Sequence, residues 1–177
     1  MIFRETKLQG AFIIELQRLE DERGFFSRSF CRHEFAERGL NPDVAQCNIS
    51  FNRDAGTLRG MHYQEAPHAE DKLVRCSRGS LYDVIVDLRR ESPTFTQWIA
   101  LELTGDNGRM LYVPKGCAHG FQTLENNTEV FYQMSEFYHP ESARGVRWND
   151  PAFGIQWPAG VQVIISERDR NWPDYPA

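Results

Sequence analysis

Short runs of alternating apolar and polar residues, broken by glycine and turn residues, dominate the chain. Lys72–Arg78 and residues 81–88 are two such runs, and a period of two predicts half-buried strands. In the second run Leu81, Asp83, Ile85 and Asp87 share one face, while Tyr82, Val84, Val86 and Leu88 share the other. Gly79-Ser80 between the runs reads as a hairpin turn. More strands are expected over 11–16, 24–30, 97–103, 109–113, 120–124, 128–137 and 161–165. Helix is scarce. Residues 33–38 before Gly39 fit one short helix with a glycine end, and 140–144 fit a single helical turn with proline early in it. Many short strands with regular turns predict a mainly β fold with a few short helices, a sandwich or barrel such as the double-sheet jelly roll.

At 177 residues the chain has the length of one domain, expected to span 1–177. Glycine and proline are spread along it, and no linker, repeat or low-complexity tract divides it. Its 20 basic and 25 acidic residues give a net charge of −5. That argues against a globally basic nucleic-acid binder but leaves room for a local basic pocket. No apolar run approaches the roughly 18–20 residues of a membrane span. The start, Met1-Ile2-Phe3-Arg4-Glu5-Thr6-Lys7, lacks the apolar stretch of a secretory signal. The expectation is a cytoplasmic protein without nucleic-acid or membrane partners. Cys31, Cys47, Cys76 and Cys117 are far apart, so free and mostly buried thiols are expected, and no zinc site.

Two segments share a pattern. Gly56 is followed, after five residues, by His62; Gly108 is followed, after five residues, by Pro114, then Gly116 and His119. They resemble the two motifs of the cupin superfamily, small jelly-roll barrels, and so imply a cupin-type jelly-roll barrel. In the metal-binding cupins the first motif carries His-x-His and a downstream glutamate. Here Gln64 stands at the second histidine position and Lys72 at the glutamate position. A protonated lysine has donors only, and His62 with His119 falls short of the usual ligand count. A barrel without a metal is therefore expected. An isolated histidine reads more readily as a satisfied structural residue. Arg59 close to His62, and the turn before His119, point instead to polar groups converging in a barrel mouth.

Longer stretches narrow the resemblance. They include Asp21-Glu22-Arg23-Gly24-Phe25-Phe26, Gln46-Cys47-Asn48-Ile49-Ser50 and Gly56-Thr57-Leu58-Arg59-Gly60-Met61-His62-Tyr63-Gln64. Lys72-Leu73-Val74-Arg75, Ser92-Pro93-Thr94-Phe95, Arg147-Trp148-Asn149-Asp150-Pro151 and Ser166-Glu167-Arg168-Asp169 follow. In this order, across nearly the whole chain, they are similar to the dTDP-4-dehydrorhamnose 3,5-epimerases and related nucleotide-sugar epimerases. The resemblance implies that His62 is a general base with Asp169 as its orienting partner. Tyr132 would be the general acid on the opposite face of the sugar, and Lys72 would face the C4 carbonyl oxygen. Arg59, His119, Gln46 and Asn48 would line the sugar and diphosphate site. Arg23 and Arg168 would meet the diphosphate, and Tyr138 would help hold the nucleotide. The resemblance also implies a nucleotide-sugar substrate, no cofactor, and a homodimer in which the N-terminal strand of one chain reaches the partner's barrel. The chain departs from the family pattern at Arg28 and Ala143, where glutamate is usual, and at Cys117, often phenylalanine.

These residue types suit the implied chemistry. In a 4-keto-6-deoxy sugar, the protons at C3 and C5 are acidified by the C4 ketone between them. Removing one gives an enolate with charge on O4, and a fixed cation there stabilises charge that grows during reaction. Histidine works as a base near neutral pH, and a carboxylate partner fixes its tautomer. Return of a proton from the other face inverts the carbon. Taken singly, Tyr132 reads as half-buried strand filler, Lys72 as a solvated edge residue and Asp169 as a turn cap. Asp83 reads as a second support for His62 or Lys72, or as a strand-face ion pair. The alternatives carried alongside are a 3-only or 5-only epimerase, a 3,4-ketoisomerase, a metal-dependent cupin and a non-catalytic sugar-binding cupin.

Overall fold

The computed structural model describes residues 1–175. Its strands, in chain order, begin with β1 (Ile2–Glu5), β2 (Phe12–Glu15), β3 (Leu19–Asp21), β4 (Gly24–Phe26), β5 (Gln46–Asn52), β6 (Thr57–Gln64) and β7 (Lys72–Arg78). They continue with β8 (Ser80–Asp87), β9 (Trp98–Thr104), β10 (Arg109–Val113), β11 (Cys117–Thr123), β12 (Thr128–Met134), β13 (Ala143–Gly145) and β14 (Ile164–Ile165). Among the described residues helix is limited to α1 (Arg32–Ala36) and α2 (Glu167–Arg170). One sheet runs β1-β2-β10-β7-β12-β5, and the other β13-β6-β11-β8-β9 with β14 beside β6. Among the described residues β3 and β4 pair only with each other. Two facing sheets of mostly antiparallel strands are the jelly-roll arrangement expected from the strand pattern.

The alternation in β8 explains why the sheets face each other. Leu81 and Ile85 join Val74, Cys76, Leu111 and Val130 in the core between the sheets. Val84 and Val86 point the other way, into a second core that includes Met61, Val146, Phe153 and Ile155. A third cluster covers the outside of the first sheet, where Phe35 of α1 packs on Ile14, Leu73 and Met110. Full burial of side chains this size favours the folded state by about 1.5–3 kcal/mol each.

Several boundaries differ from the sequence pattern. Gly79-Ser80 does not close a hairpin, because β7 pairs with β10 and β12 while β8 pairs with β9 and β11. The turn instead carries the chain from one sheet to the other, which lets the apolar faces of β7 and β8 meet in one core. Gly79 makes the crossing with φ of +77°, and an added Cβ would sit 2.5 Å from Thr128 Oγ1. The helical turn expected over 140–144 is a simple turn leading into β13, because Ala143, Arg144 and Gly145 are captured by the edge of β6. The strand expected over 161–165 is only two residues long. Of the four free thiols, Cys76 and Cys117 are buried, Cys31 is intermediate and Cys47 is exposed. Cys47 lies on the outward-facing register of β5, with Ile49 and Phe51, and so faces away from the chain's own core.

Asp87 shows how the loop after β8 is held. It is fully buried and accepts bonds from Arg89 Nε at 2.8 Å, Ser92 Oγ at 2.5 Å and Thr94 Oγ1 at 2.7 Å. Burial pushes its carboxyl up, but these donors outweigh it and bring the group down to about 2. A carboxyl lowered on folding contributes stability that is complete above about pH 4 and is lost as pH falls towards 2. The pH-dependent share is on the order of 2 kcal/mol. Urea unfolding of Asp87→Asn against the parent should show a large stability gap at pH 7 that narrows at pH 3. An unchanged gap would show that the charge of Asp87 is not what stabilises the loop.

Candidate active site

β6 and β11 lie side by side with His62 opposite His119. The two strands come unusually close near these histidines. A Cβ at Gly60 would lie 2.6 Å from Gly120 Cα, and one at Gly120 would lie 2.6 Å from Met61 Sδ. Only glycine fits at both positions. The pairing register shifts between His119 and Phe121, which sets His119 relative to the rest of β11.

His62 Nε2 lies 2.7 Å from Asp169 Oδ1, and Asp169 Oδ2 accepts from Gly60 N at 3.3 Å. Asp169 itself is fixed by α2, where Ser166 Oγ caps the helix by accepting from Asp169 N at 3.1 Å. Burial raises the Asp169 carboxyl, but the His62 bond and charge and the Gly60 N–H hold it below its ordinary value. Trp172 walls His62 from the side, with ring centroids 6.3 Å apart. Gly145 makes room for it, since a Cβ there would be 2.3 Å from the indole.

Lys72 begins β7 and is nearly buried. Its Nζ lies 3.0 Å from Glu70 Oε1 and donates to His62 O at 3.4 Å. Tyr132 faces the same space from β12; burial raises its phenol above the ordinary value, Arg59 offsets part of this, and Glu70 adds to it. Arg59 donates from Nε to Asn52 Oδ1 at 2.8 Å. His119 Nε2 lies 2.6 Å from Asp83 Oδ1, and Asp83 is fully buried. Asp83 therefore supports His119, not His62 or Lys72.

Arg59, His62, Lys72, His119, Tyr132 and Asp169 line one cleft of about 510 Å³. A second hollow of about 160 Å³ shares His62, Lys72 and Tyr132 with it and adds Tyr138 and Arg168. Gln46 and Asn48 lie beyond the lining of both; they bond to each other at 3.3 Å, and Gln46 Oε1 accepts from Tyr138 N at 2.9 Å. Arg23 is not brought to this site by its own chain. It sits on the free β3–β4 ribbon, its side chain 83% exposed and paired with Asp21. Arg28 is likewise outside the lining of both hollows and pairs with Glu34 at 2.9 Å.

Glu70 is the residue that sequence reasoning missed. Its side chain is buried, and Oε2 accepts from Gln64 N at 3.1 Å while Oε1 holds Lys72. An acid two positions before a lysine that opens a strand is the one signal of it in the chain. The donor set does not resemble a cupin metal centre, since an ammonium held by Glu70 stands among the histidines.

The dTDP-4-dehydrorhamnose 3,5-epimerase family model matches residues 5–176. The chain belongs to this family. A dTDP-4-dehydrorhamnose 3,5-epimerase of Sinorhizobium fredii is 40% identical over 173 residues, covering 98% of this chain and 89% of that one. The crystal structure of the Elizabethkingia anophelis dTDP-4-dehydrorhamnose 3,5-epimerase superposes with a TM-score of 0.95 at 40% identity, covering 99% of this chain and 96% of that one. A Legionella pneumophila 3,5-epimerase, solved in complex with dTDP-4-keto-L-rhamnose, gives 0.92 at 38% identity, over 98% and 92% of the two chains. Membership of the 3,5-epimerase family makes this an isomerase-class enzyme with a cupin-type fold. Among the described residues no helix is long and apolar enough to cross a membrane.

Proposed function

We propose that the whole chain forms one epimerase domain that inverts C3 and C5 of dTDP-4-dehydro-6-deoxyglucose, giving dTDP-4-dehydrorhamnose. The observation that carries this reading is the bonded His62–Asp169 pair in one cleft with Lys72 and Tyr132. His62 Nε2 faces Asp169, so Nδ1 is the nitrogen that takes the proton from carbon. The electron pair left behind moves into the C4 carbonyl and makes an enolate. Lys72, which lines the same cleft, supplies an ammonium to the charge growing on O4. Glu70 is a positioning residue that aims that ammonium. Asp169 stabilises the imidazolium formed at His62. Tyr132 then gives its phenolic proton to the opposite face of the same carbon. A raised phenol is fully protonated at neutral pH and ready to donate. Solvent restores Tyr132 and removes the proton from His62, so atoms and charge balance with no change of oxidation state.

Arg59, His119, Gln46, Asn48, Arg168 and Tyr138 fit roles in holding the nucleotide sugar. Arg23 fits such a role only in a homodimer, where the β3–β4 ribbon of one chain reaches the other's cleft. The exposed Leu19, Phe25 and Phe26 of that ribbon, with Ile49 and Phe51 of β5, support this arrangement. Sedimentation at the monomer mass at micromolar protein would remove it.

The test is proton exchange. The protein is incubated with dTDP-4-dehydro-6-deoxyglucose in heavy water, and deuterium is followed by NMR. Uptake at both C3 and C5 with formation of the L-sugar is the expected result. Uptake at one carbon alone makes it a monoepimerase, and uptake at neither removes the reading.

A further inference from the structure

Outside the cleft, one group of side chains among the described residues has the makings of a ligand site. We infer that His68, His139 and Glu141 form a second site, which binds a borderline transition-metal dication such as Zn²⁺. Their donor atoms all lie within 4.8 Å of one another. His139 Nδ1 is 2.9 Å from Glu141 Oε1, and His68 Nε2 is 4.0 Å from the same oxygen. Tetrahedral zinc with bonds of about 2.0–2.2 Å spaces its donors roughly 3.3 Å apart, between these two separations. Two imidazoles and a carboxylate are also a donor set that zinc accepts, with water as the fourth ligand.

The site is built below its side chains. Buried Gln64 donates to His68 O at 2.9 Å and to Phe137 O at 3.0 Å, and accepts from His139 N at 2.6 Å. One amide thus holds the backbones of both histidines from two different loops. The result is a stacked imidazole pair, centroids 3.5 Å apart and planes 9° from parallel. Each ring keeps 30% of its side chain exposed, so a cation and its water can enter. Binding requires the rings to turn out of the stack so that both lone pairs converge on one point. The Arg144 guanidinium nearby is occupied by the Glu65 carboxylate and by Glu141 O, which limits its repulsion of a cation.

The metal would tie the turn after β6 to the segment carrying Tyr138, whose own N–H is already held by Gln46. It is therefore a clamp on the rim of the cleft and takes no part in proton transfer. Binding to the folded state alone raises the thermal midpoint.

Chelator-treated protein is titrated with Zn²⁺ by calorimetry and with Co²⁺ by visible absorption. One Zn²⁺ per chain with a Kd below about 0.1 mM is expected, together with tetrahedral cobalt bands and a higher thermal midpoint. His68→Ala and Glu141→Ala should each weaken binding at least about tenfold, while metal-free epimerisation and the far-ultraviolet spectrum stay as in the parent. Either variant suffices if the other fails to fold. Weaker binding by the parent, or equal binding by the variants, overturns the site.

Discussion

His62→Asn is expected to stop deuterium uptake at both C3 and C5 and to lower epimerisation by about 10²–10⁴-fold, the usual weight of a positioned general base. Asparagine keeps much of the volume and can still bond to Asp169, but it cannot take a proton at neutral pH. The effect should be larger on turnover than on binding, since the substitution leaves Arg59, Lys72 and His119 in the cleft. The substitution also removes the imidazole charge that helps to hold the Asp169 carboxyl low, while the Gly60 N–H stays, so its folded-state value should rise. A variant that folds, binds the nucleotide sugar and still exchanges deuterium at the parent rate would sink the base assignment. The same experiment separates enzyme from sugar-binding cupin, because a mere binding protein loses nothing measurable in exchange.

Lys72→Met should lower turnover by about 10²–10³-fold, the range for removing one preorganised donor to a developing oxyanion. It carries a second consequence that the ion pair makes unavoidable. Glu70 would be left buried without its ammonium partner, and breaking a buried pair costs about 3–5 kcal/mol. A loss of activity in the single variant therefore mixes chemistry with folding. The double variant Lys72→Met/Glu70→Gln separates them, because neutral glutamine still accepts from Gln64 N and leaves no lone charge. Urea unfolding of the double variant should return most of the lost stability, while epimerisation stays low. If turnover returns with stability, Lys72 is a structural residue and the enolate is stabilised by something else.

How far the sequence can be read depends on which distances local chemistry decides. The strand alternation in β8 was legible, and Leu81, Ile85, Val84 and Val86 fall on the faces that their period assigns. The hairpin at Gly79 was misread because a glycine turn between two strands has the same local signature whether the chain folds back or changes sheet. The strand at 143–145 was hidden because it forms only where the edge of β6 is free to pair. Six of the residues implied by resemblance, Arg59, His62, Lys72, His119, Tyr132 and Asp169, line one cleft, though they come from five separate segments. Glu70 went unseen because a buried acid differs from a surface acid only in what surrounds it.

By itself the sequence determined the chemistry on offer and the period of each strand. A lysine stands where metal cupins place a glutamate. These follow from side-chain composition and from steric rules that act within a few residues. The tertiary structure alone decided the partners. It matched Asp169 to His62 across 107 positions and Asp83 to His119 across 36. It also set Glu70 on Lys72 and left Arg23 outside its own chain's cleft. Packing of two apolar sheet faces fixes those distances, and the energy that selects one pairing over another comes from burial shared by many residues, which no single stretch of chain contains.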